Sequence, residues 1–369
     1  MHVAVVGCGQ LARMMALAGW RLGVTFSFLA EPNEGTACVE HLGKVVVRDE
    51  QKTIAELYAA LGHPEVMTVE REHVDVAMLK AFAEHCAVHP NPNAVSVSQH
   101  RGREKTCMRD LGIGTAPFTV ASNAADLKQA VTTMGLPVLI KSCEEGYDGK
   151  GQWMIREAAQ LDSFFAENNV SQDMIVEGLV NFSEEVSIIA VRSTNDECAF
   201  YPITENEHRN GILLTSIAPA KAISPALTER AEDIAQKILR KLDYVGVLSV
   251  ELFIENGELL VNEIAPRVHN SGHWTQAAGI SSQFENHIRA ICGMPLGNTQ
   301  PKTAVGMVNL LGVKVSDQLL DRGNLEIHHY NKAIRPGRKV GHINLWNIDR
   351  EQLAADVTQL RDEIYSDES

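Results

Sequence analysis

The first part of the chain, about 95 residues, alternates short apolar segments with longer amphipathic ones, and this limits the folds open to it. Four apolar segments are predicted strands: Val3–Val6, Thr25–Leu29, Lys44–Val47 and Val66–Val69. Three longer segments are predicted helices: Gln10–Leu22, Thr53–Leu61 and Val74–His85. Because strands that alternate with helices connect into parallel sheets, we expect a doubly wound α/β unit here.

The pattern changes twice further along the chain. The breaker-rich segment Pro90–Asn93 ends the alternation, and a helix at Arg103–Leu111 leads into a smaller α/β region. Long β segments predominate from Asn181 onward, joined by helices at Ala226–Leu242 and Arg350–Tyr365. The predicted strands are Glu185–Arg192, Ala199–Ile203, Leu213–Lys221, Val247–Ile254, Leu259–Ile264, Val305–Leu310, Leu325–His329 and Val340–Leu345. We therefore expect a mixed α/β and α+β chain with domains at residues 1–95, 96–180 and 181–369, the last with a small β-rich subdomain from about residue 300.

Bulk composition excludes several classes of protein. A chain of 369 residues is too long for a single hydrophobic core, so we expect two or three compact units. A formal net charge of −14 disfavours a nucleic-acid backbone as partner. The seven cysteines are scattered without a C-x-x-C pair, as in proteins of reducing compartments. Since the sequence has neither a secretory leader pattern nor an apolar run of about 18 residues, we expect a cytoplasmic protein without a membrane partner.

Lys141 marks the start of a predicted phosphate-binding loop. It ends the apolar run Leu136–Ile140 and precedes a loop with three glycines, Glu145–Gly151, and a second apolar segment, Gln152–Ile155. The pattern predicts a β-hairpin. Glycines let backbone N–H groups approach an anion, and lysine adds positive charge. The loop lacks the G-K-[ST] ending of a P-loop, and an ordinary surface hairpin is the alternative.

Glu251 and Glu263 lie in two apolar segments joined by Asn256-Gly257, a dipeptide typical of hairpin turns. Two carboxylates on adjacent strands, with the Asn262 amide beside one, suit Mg²⁺. A regular two-residue turn would pair Glu251 with Asn262 and send Glu263 to the other face. Both carboxylates can share a face only if the hairpin contains a bulge or an odd turn, and we predict that irregularity. Ordinary surface acids are the alternative.

Three further stretches carry residues that bind anions or hydroxyl groups. Gly7–Ala12 is a G-x-G-x-x-A turn, which suits a phosphate pocket, a dinucleotide site with Glu31 on the ribose, or close packing without ligand. Arg267–Trp274 combines arginine, imidazole, amide and hydroxyl groups, as a phosphorylated substrate would require, although a single histidine there could be structural. Arg335–Lys339, with Lys332 upstream, is a basic cluster or a solvated turn.

The order of these motifs resembles the ATP-grasp superfamily, and within it the family of 5-(carboxyamino)imidazole ribonucleotide synthetases of purine biosynthesis. The stretches that carry the resemblance are Gly7–Met14, Gly146–Gln152, Asn262–Thr275 and Arg335–His342. The resemblance implies an ATP-grasp architecture: an N-terminal doubly wound parallel-sheet domain, a central lid domain, and a C-terminal, mainly antiparallel metal-binding domain. The chain departs from the family at Cys143-Glu144-Glu145, where two acids would disfavour a triphosphate unless they point away or contact the metal.

The resemblance also implies a role for each matching residue. Residues expected to bind ATP are Arg101, Lys141, Gly146, Tyr147, Asp148, Gly149, Lys150, Gly151, Glu177, Gly178, Leu179, Val180, Glu185, His208, Asn262 and Glu263. Residues expected to bind aminoimidazole ribonucleotide are Gly9, Gln10, Leu11, Glu70, Tyr147, Asp148, Arg267, His269, Asn270, Ser271, Lys332 and Arg338. Glu251 and Glu263 would bind a pair of Mg²⁺ ions, with Mn²⁺ as an alternative. The expected catalytic residues are Lys141, Asp148, Arg267 and His269.

The reaction implied by the resemblance is ATP-dependent carboxylation of aminoimidazole ribonucleotide by bicarbonate, through carboxyphosphate, in a homodimer. Three alternatives stay open from the residues themselves. The first is another purine-pathway ATP-grasp ligase, such as the formate-dependent glycinamide ribonucleotide enzyme. The second is an NAD-dependent oxidoreductase built on Gly7–Ala12, which leaves Glu251 and Glu263 without a role. The third is a nucleotide-binding protein without turnover.

Overall fold

The structure is a computed structural model that describes residues 1–144, 151–168, 170–221 and 223–366. A five-stranded parallel sheet, ordered β3-β2-β1-β4-β5, opens the chain. Its strands are β1 His2–Val6, β2 Thr25–Ala30, β3 Lys44–Val47, β4 Val66–Val69 and β5 Ala87–Val88. The first helices are α1 Gln10–Trp20, α2 Ile54–Ala60 and α3 Val76–Phe82. α1 packs on one face of the sheet and α2 and α3 on the other, which confirms the predicted doubly wound unit.

The segment predicted to break this pattern begins a helix instead. Helix α4 spans Pro92–Ser98, and the side chain of Asn91 accepts a hydrogen bond from the Ala94 N–H group. Proline suits the first helical turn, where its missing N–H group would have no partner. Here the Asn-Pro pair therefore marks the start of a helix. Helix α5, Arg101–Asp110, follows directly.

The central region is a four-stranded antiparallel sheet in the order β6-β9-β7-β8. Its strands are β6 Phe118–Ala121, β7 Val138–Ser142, β8 Gln152–Ile155 and β9 Met174–Gly178, with helices α6 Ala124–Met134 and α7 Ala158–Glu167. Lys141 on β7 pairs with Gln152 on β8, so the predicted hairpin is confirmed. Residues 145–150 of its loop lie outside the described residues.

The remaining strands form one nine-stranded antiparallel sheet. Its strands are β10 Glu184–Arg192, β11 Cys198–Phe200, β12 Thr204–Arg209, β13 Ile212–Ala218, β14 Gly246–Glu255, β15 Glu258–Ala265, β16 Ala304–Leu311, β17 Leu325–His329 and β18 Lys339–Asn347. The helices are α8 Pro225–Lys241, α9 Gln283–Ile291 and α10 Arg350–Tyr365, with 3-10 turns at Asn270–Ala277 and Asp317–Asp321. The mixed α/β and α+β class is confirmed. The predicted strand Ala199–Ile203 is wrong at its end, since it stops at Phe200 and a separate strand, β12, follows.

A shared core fixes the N-terminal sheet against the large antiparallel sheet. Phe284 and Ile288 of α9 pack in one cluster with Met15 of α1 and Val247 of β14. His287 of α9 lies within hydrogen-bond distance of Thr68 on β4, at 2.8 Å, and of the Val247 N–H group, at 3.0 Å. These contacts hold the turn after β1 opposite the segment that follows β15. None of the helices in the described part of the chain is long and apolar enough to cross a membrane.

Candidate active site

The β14–β15 hairpin brings two glutamates together across its strands. Asn256 and Gly257 form its two-residue turn, with φ of 51° and 82°. The ladder shifts register beside Glu251, so that Glu251 pairs with Glu263 and Asn262 becomes an extra residue. The predicted irregularity is therefore confirmed as a β-bulge. Because directly paired residues point to the same face, both carboxylates lie on one side of the sheet.

The two carboxylates differ in their affinity for protons. Burial alone would raise the pKa of Glu251, but the hydrogen bond from His269 Nε2, at 3.0 Å, and the imidazole charge lower it to about 2. Burial and the neighbouring charge of Glu251 raise the pKa of Glu263 to about 7. Glu251 is therefore negatively charged at neutral pH, and a bound cation would stabilise a second negative charge on Glu263.

This donor set fits Mg²⁺ that is also held by a phosphorylated ligand. Within the described ranges, no group of three or more His, Cys, Asp and Glu side chains could hold a metal ion by itself. Glu251 and Glu263 supply carboxylate oxygens, and Asn262 is the bulge residue beside them. Mg²⁺ is usually held by one or two carboxylates together with water and substrate phosphates. The hairpin thus matches a shared metal site better than an all-protein cage.

Cationic side chains from α5 and β7 lie beside this hairpin. Lys141 Nζ donates to Glu177 Oε2 at 2.8 Å, and Lys105 Nζ lies 3.5 Å from Glu177 Oε1. Burial would raise the pKa of Glu177, but the two lysines hold it below its ordinary value. The positive charges of Arg101 and Lys141 also act on Glu263. The structure therefore brings two of the predicted phosphate-binding residues, Arg101 and Lys141, close to the predicted metal-binding residue Glu263.

Helix α5 also supports the glutamate-bearing edge strand. Strand β15 is the last strand of its sheet, and the Ile264 N–H group donates to Glu104 Oε1 at 2.5 Å. The Val261 N–H group donates to the Gly114 carbonyl oxygen at 2.8 Å. Burial and the charge of Glu263 raise the pKa of Glu104. These bonds cover an edge that would otherwise present unpaired N–H groups.

The predicted ribose and adenine residues form a second group. Glu185 on β10 contacts His208 Nδ1 across to β12, where a bulge lies between Glu207 and His208. Burial lowers the pKa of His208, but the hydrogen bond and charge of Glu185 raise it above its ordinary value. The Gly178 N–H group at the end of β9 donates to the Pro117 carbonyl oxygen at 2.9 Å. Of the two residues that follow, Leu179 is exposed and Val180 is partly buried.

The glycine turn after β1 is already bonded to carboxylates. The Cys8 N–H group donates to Glu34 Oε1 at 2.8 Å, and the Gly9 N–H group donates to Glu70 Oε1 at 3.0 Å. Burial raises the pKa of Glu70. The side chain of Leu11 packs in the hydrophobic core. At Cys8 and Gly9 the turn therefore presents carboxylate oxygens, which accept hydrogen bonds from hydroxyl groups, in place of free N–H groups.

The segment after β15 lies near the carboxylate that bonds the turn, since the charge of Arg267 acts on Glu70. Arg267 forms an ion pair with Glu72, and its Nη1 donates to the Val268 carbonyl oxygen at 3.0 Å. Asn270 is only 9% exposed, yet neither its amide nitrogen nor its amide oxygen has a hydrogen-bond partner among the described residues. Buried polar groups are normally bonded, so this side chain fits one that awaits a ligand.

Two further sets of contacts place the remaining predicted residues. His269 Nδ1 lies 2.9 Å from Ser271 Oγ, and Ser187 Oγ donates to the same hydroxyl at 2.8 Å. Lys332 donates to Gln10, and burial lowers the pKa of Lys332. Arg338 is close enough for its charge to act on Lys332 as well. The basic cluster thus reaches the glycine turn from the other end of the chain.

Several predicted residues lie outside the described residues, namely Gly146, Tyr147, Asp148, Gly149 and Lys150. Gly151 is described, and its carbonyl oxygen accepts from the Ser142 N–H group at 3.0 Å. Of the unusual acids, Glu145 is also outside them, whereas Glu144 bonds to Arg103 at 3.0 Å. Glu144 is therefore neutralised by an arginine, which answers the electrostatic objection for that residue.

Sequence reasoning missed four charged residues of this region: Glu34, Glu72, Glu104 and Lys105. Each acts on a partner distant in sequence, so local pattern gave no reason to single it out. One signal was available. Lys105 lies four residues after Arg101, a spacing that places both on one face of helix α5, which begins two residues before the predicted helix Arg103–Leu111.

Comparison with known proteins agrees with this arrangement. Residues 1–99 match the ribonucleotide synthetase preATP-grasp domain, residues 106–284 the ATP-grasp domain, and residues 305–356 the phosphoribosylaminoimidazole carboxylase C-terminal domain. The N5-carboxyaminoimidazole ribonucleotide synthase of Pseudomonas aeruginosa is 41% identical over 363 residues, covering 98% of both chains.

Solved structures give the same result. The N5-carboxyaminoimidazole ribonucleotide synthetase of Thermus thermophilus superposes with a TM-score of 0.90 at 40% identity, covering 98% of both chains. The Aspergillus clavatus N5-carboxyaminoimidazole synthase, in complex with ADP and 5-aminoimidazole ribonucleotide, gives 0.84 at 27% identity, covering 98% of this chain and 99% of that one. The chain therefore belongs to the N5-carboxyaminoimidazole ribonucleotide synthase family of ATP-grasp ligases.

Proposed function

We propose that this chain carboxylates 5-aminoimidazole ribonucleotide with bicarbonate at the expense of ATP, releasing ADP and phosphate in purine biosynthesis. The observation that carries the proposal is the bulged hairpin, which pairs Glu251 with Glu263 beside Lys141. Neither a dehydrogenase nor a passive nucleotide carrier needs two carboxylates and a cationic cluster on one face. Family membership supports the same reaction.

The chemical difficulty lies in bicarbonate, which is a poor electrophile. A bicarbonate oxygen attacks the γ-phosphorus of ATP, the bond to ADP breaks, and carboxyphosphate forms. Carboxyphosphate breaks down to CO₂ and phosphate, and the exocyclic amine attacks the CO₂ carbon. A base then takes the amine proton, and Asp148 and the released phosphate are the two candidates. Positive charge around the transferring phosphoryl group is the main catalytic requirement of such a step.

On the nucleotide side, Arg101 and Lys141 would contact phosphates, and Glu185 with His208 would line the ribose. Mg²⁺, or Mn²⁺ in its place, would be held by Glu251 and Glu263 and would offset charge on the transferring phosphoryl group. The loop at residues 145–151 would cover the phosphates and limit hydrolysis of carboxyphosphate.

On the substrate side, the carboxylate of Glu70 would accept hydrogen bonds from ribose hydroxyl groups. Lys332 and Arg338 would bind the substrate phosphate. Arg267 would orient bicarbonate next to His269, with the unpartnered amide of Asn270 completing the pocket. We keep the three-domain division at residues 1–95, 96–180 and 181–369, a homodimer and a cytoplasmic location as parts of the proposal.

The direct test is ADP release by the purified protein with ATP, Mg²⁺ and a fixed concentration of bicarbonate. Addition of 5-aminoimidazole ribonucleotide should increase ADP release, and the increase should depend on bicarbonate. Glycinamide ribonucleotide with formate is the matched control and should give no increase. Stimulation by the glycinamide nucleotide alone would favour the formate-dependent ligase instead, and no response to either nucleotide would contradict the proposal.

A further inference from the structure

Glu177 lies between two buried lysines, although one would be enough to neutralise it. Lys141 Nζ donates to one carboxylate oxygen at 2.8 Å, and Lys105 Nζ lies 3.5 Å from the other. Lys105 is 3% exposed and Glu177 is 4% exposed. The three side chains together carry a net charge of +1, whereas a single ion pair would carry none.

Lys105 forms an ion pair with this carboxylate but, unlike Lys141, no hydrogen bond. Its ammonium nitrogen is buried and has no hydrogen-bond partner among the described residues, and the same is true of Glu177 Oε1. Removing an ammonium group from water is unfavourable unless it is paired and hydrogen-bonded. A second lysine at this place is therefore a cost to the resting fold, which points to a role in binding a ligand.

Lys141 has two competing partners in the proposed function. Its ammonium group now donates to Glu177, and it would have to reach the phosphates of ATP. If Lys141 turns toward a phosphate without a replacement, Glu177 is left as a buried carboxylate without a close cation. The position of Lys105, on the opposite oxygen of the same carboxylate, allows it to become that replacement.

We propose that Lys105 is a positioning residue for the nucleotide: it acts as the counterion of Glu177 and so leaves the charge of Lys141 available to the phosphates of ATP. This rests on the proposed function, in which ATP is a substrate. Helix α5 places Lys105 four residues from Arg101, so one helix supplies a predicted phosphate contact and the counterion behind a second one.

A structural role and a positioning role predict different ligand dependence. A lysine that only stabilises the fold would affect adenosine and ATP alike when replaced. A lysine that frees Lys141 would affect ligands that carry phosphates much more than adenosine. The arginine variant keeps the positive charge and should keep most of the effect.

The experiment measures dissociation constants of ATP and adenosine by titration calorimetry for the wild type, Lys105→Met, Lys105→Arg and a control, Lys80→Met, which replaces an exposed lysine of α3. We expect Lys105→Met to weaken ATP binding about 10-fold and adenosine binding less than about 2-fold. Loss of one charged contact, here between Lys141 and a phosphate, typically raises a dissociation constant about tenfold. Lys105→Arg should stay within about 3-fold of the wild type for ATP, and Lys80→Met should match it.

A double variant keeps the test decisive if Lys105→Met folds poorly. In Lys105→Met/Glu177→Gln both buried charges are gone, so it should bind ATP as Glu177→Gln alone does. A further loss of about 10-fold in the double variant would overturn the inference, as would equal weakening of ATP and adenosine by Lys105→Met. Failure of the wild type to bind ATP would instead contradict the proposed function, so the two failures can be told apart.

Discussion

The glycine turn after β1 and the lysine-bearing strand β7 both contain residue types that bind phosphate, but they face opposite charges. At the turn, the N–H groups of Cys8 and Gly9 already donate to the carboxylates of Glu34 and Glu70. At the strand, Lys141 and a second buried lysine share a single glutamate. The N–H groups of Cys8 and Gly9 are therefore not available to an anion, whereas the ammonium groups at the strand favour one.

The difference shows that a glycine motif supplies space and N–H groups, whereas distant residues decide which ligand it suits. Carboxylates at a turn favour hydroxyl donors, such as those of a ribose, and ammonium groups favour phosphates. The oxidoreductase alternative would place a pyrophosphate on the turn at Gly7–Ala12, against two carboxylates. The geometry and the family both assign the chain to the ligases instead.

The largest expected effect tests whether phosphoryl transfer depends on the carboxylates of the β14–β15 hairpin. Glu263→Gln should lower substrate-dependent ADP release at least about 100-fold, because a neutral amide would hold Mg²⁺ much more weakly than a carboxylate, and Mg²⁺ would offset the charge on the transferring phosphoryl group. ADP release and the thermal unfolding midpoint would be measured together. The control is Glu258→Gln, an exposed acid of the same strand, which should keep full activity. Normal turnover by a folded Glu263→Gln variant would remove the metal assignment.

Local pattern predicted the framework of the site, and long-range contacts supplied what it missed. The β14–β15 bulge followed from the period of two in a strand and from the need to place Glu251 beside Glu263. Helix α9 was not predicted, because its buried face includes Asn286 and His287 among apolar residues, and these polar groups are bonded to other elements. Lys105 likewise gained its significance only through β9, more than 70 residues away.

The next effect tests the turn side of the comparison. Glu70→Gln should raise the KM for aminoimidazole ribonucleotide about 10-fold and leave the KM for ATP within about 2-fold. The substitution weakens the hydrogen bond that residue 70 accepts from this nucleotide, and ATP would not contact residue 70. Steady-state kinetics with each substrate varied would measure both constants. Glu84→Gln, an exposed acid of the same unit, is the control. An increase in the KM for ATP alone would mean that the turn holds the nucleotide.

The smallest effect compares the pH dependence of two ion pairs, one at the turn and one, Glu185–His208, in the predicted nucleotide site. The pKa of His208 is raised above its ordinary value of 6.5 by Glu185, despite burial, so this pair stabilises the fold fully below pH 6.5 and less as pH rises through the folded-state pKa. At the turn, the comparison pair is Arg71–Glu34, which contains no histidine.

Unfolding midpoints of the wild type and two single variants, measured at pH 6 and pH 9, would reveal this contrast. Glu185→Gln should lower the midpoint by about 2 °C at pH 6 and by less at pH 9, because the contribution of the pair declines as pH rises through the raised pKa of His208. Glu34→Gln should cause the same decrease at both values of pH. If the deficit of Glu185→Gln were equally constant, titration of His208 would not alter the stability contributed by this pair between pH 6 and pH 9, and pH would no longer distinguish the Glu185–His208 pair from the turn.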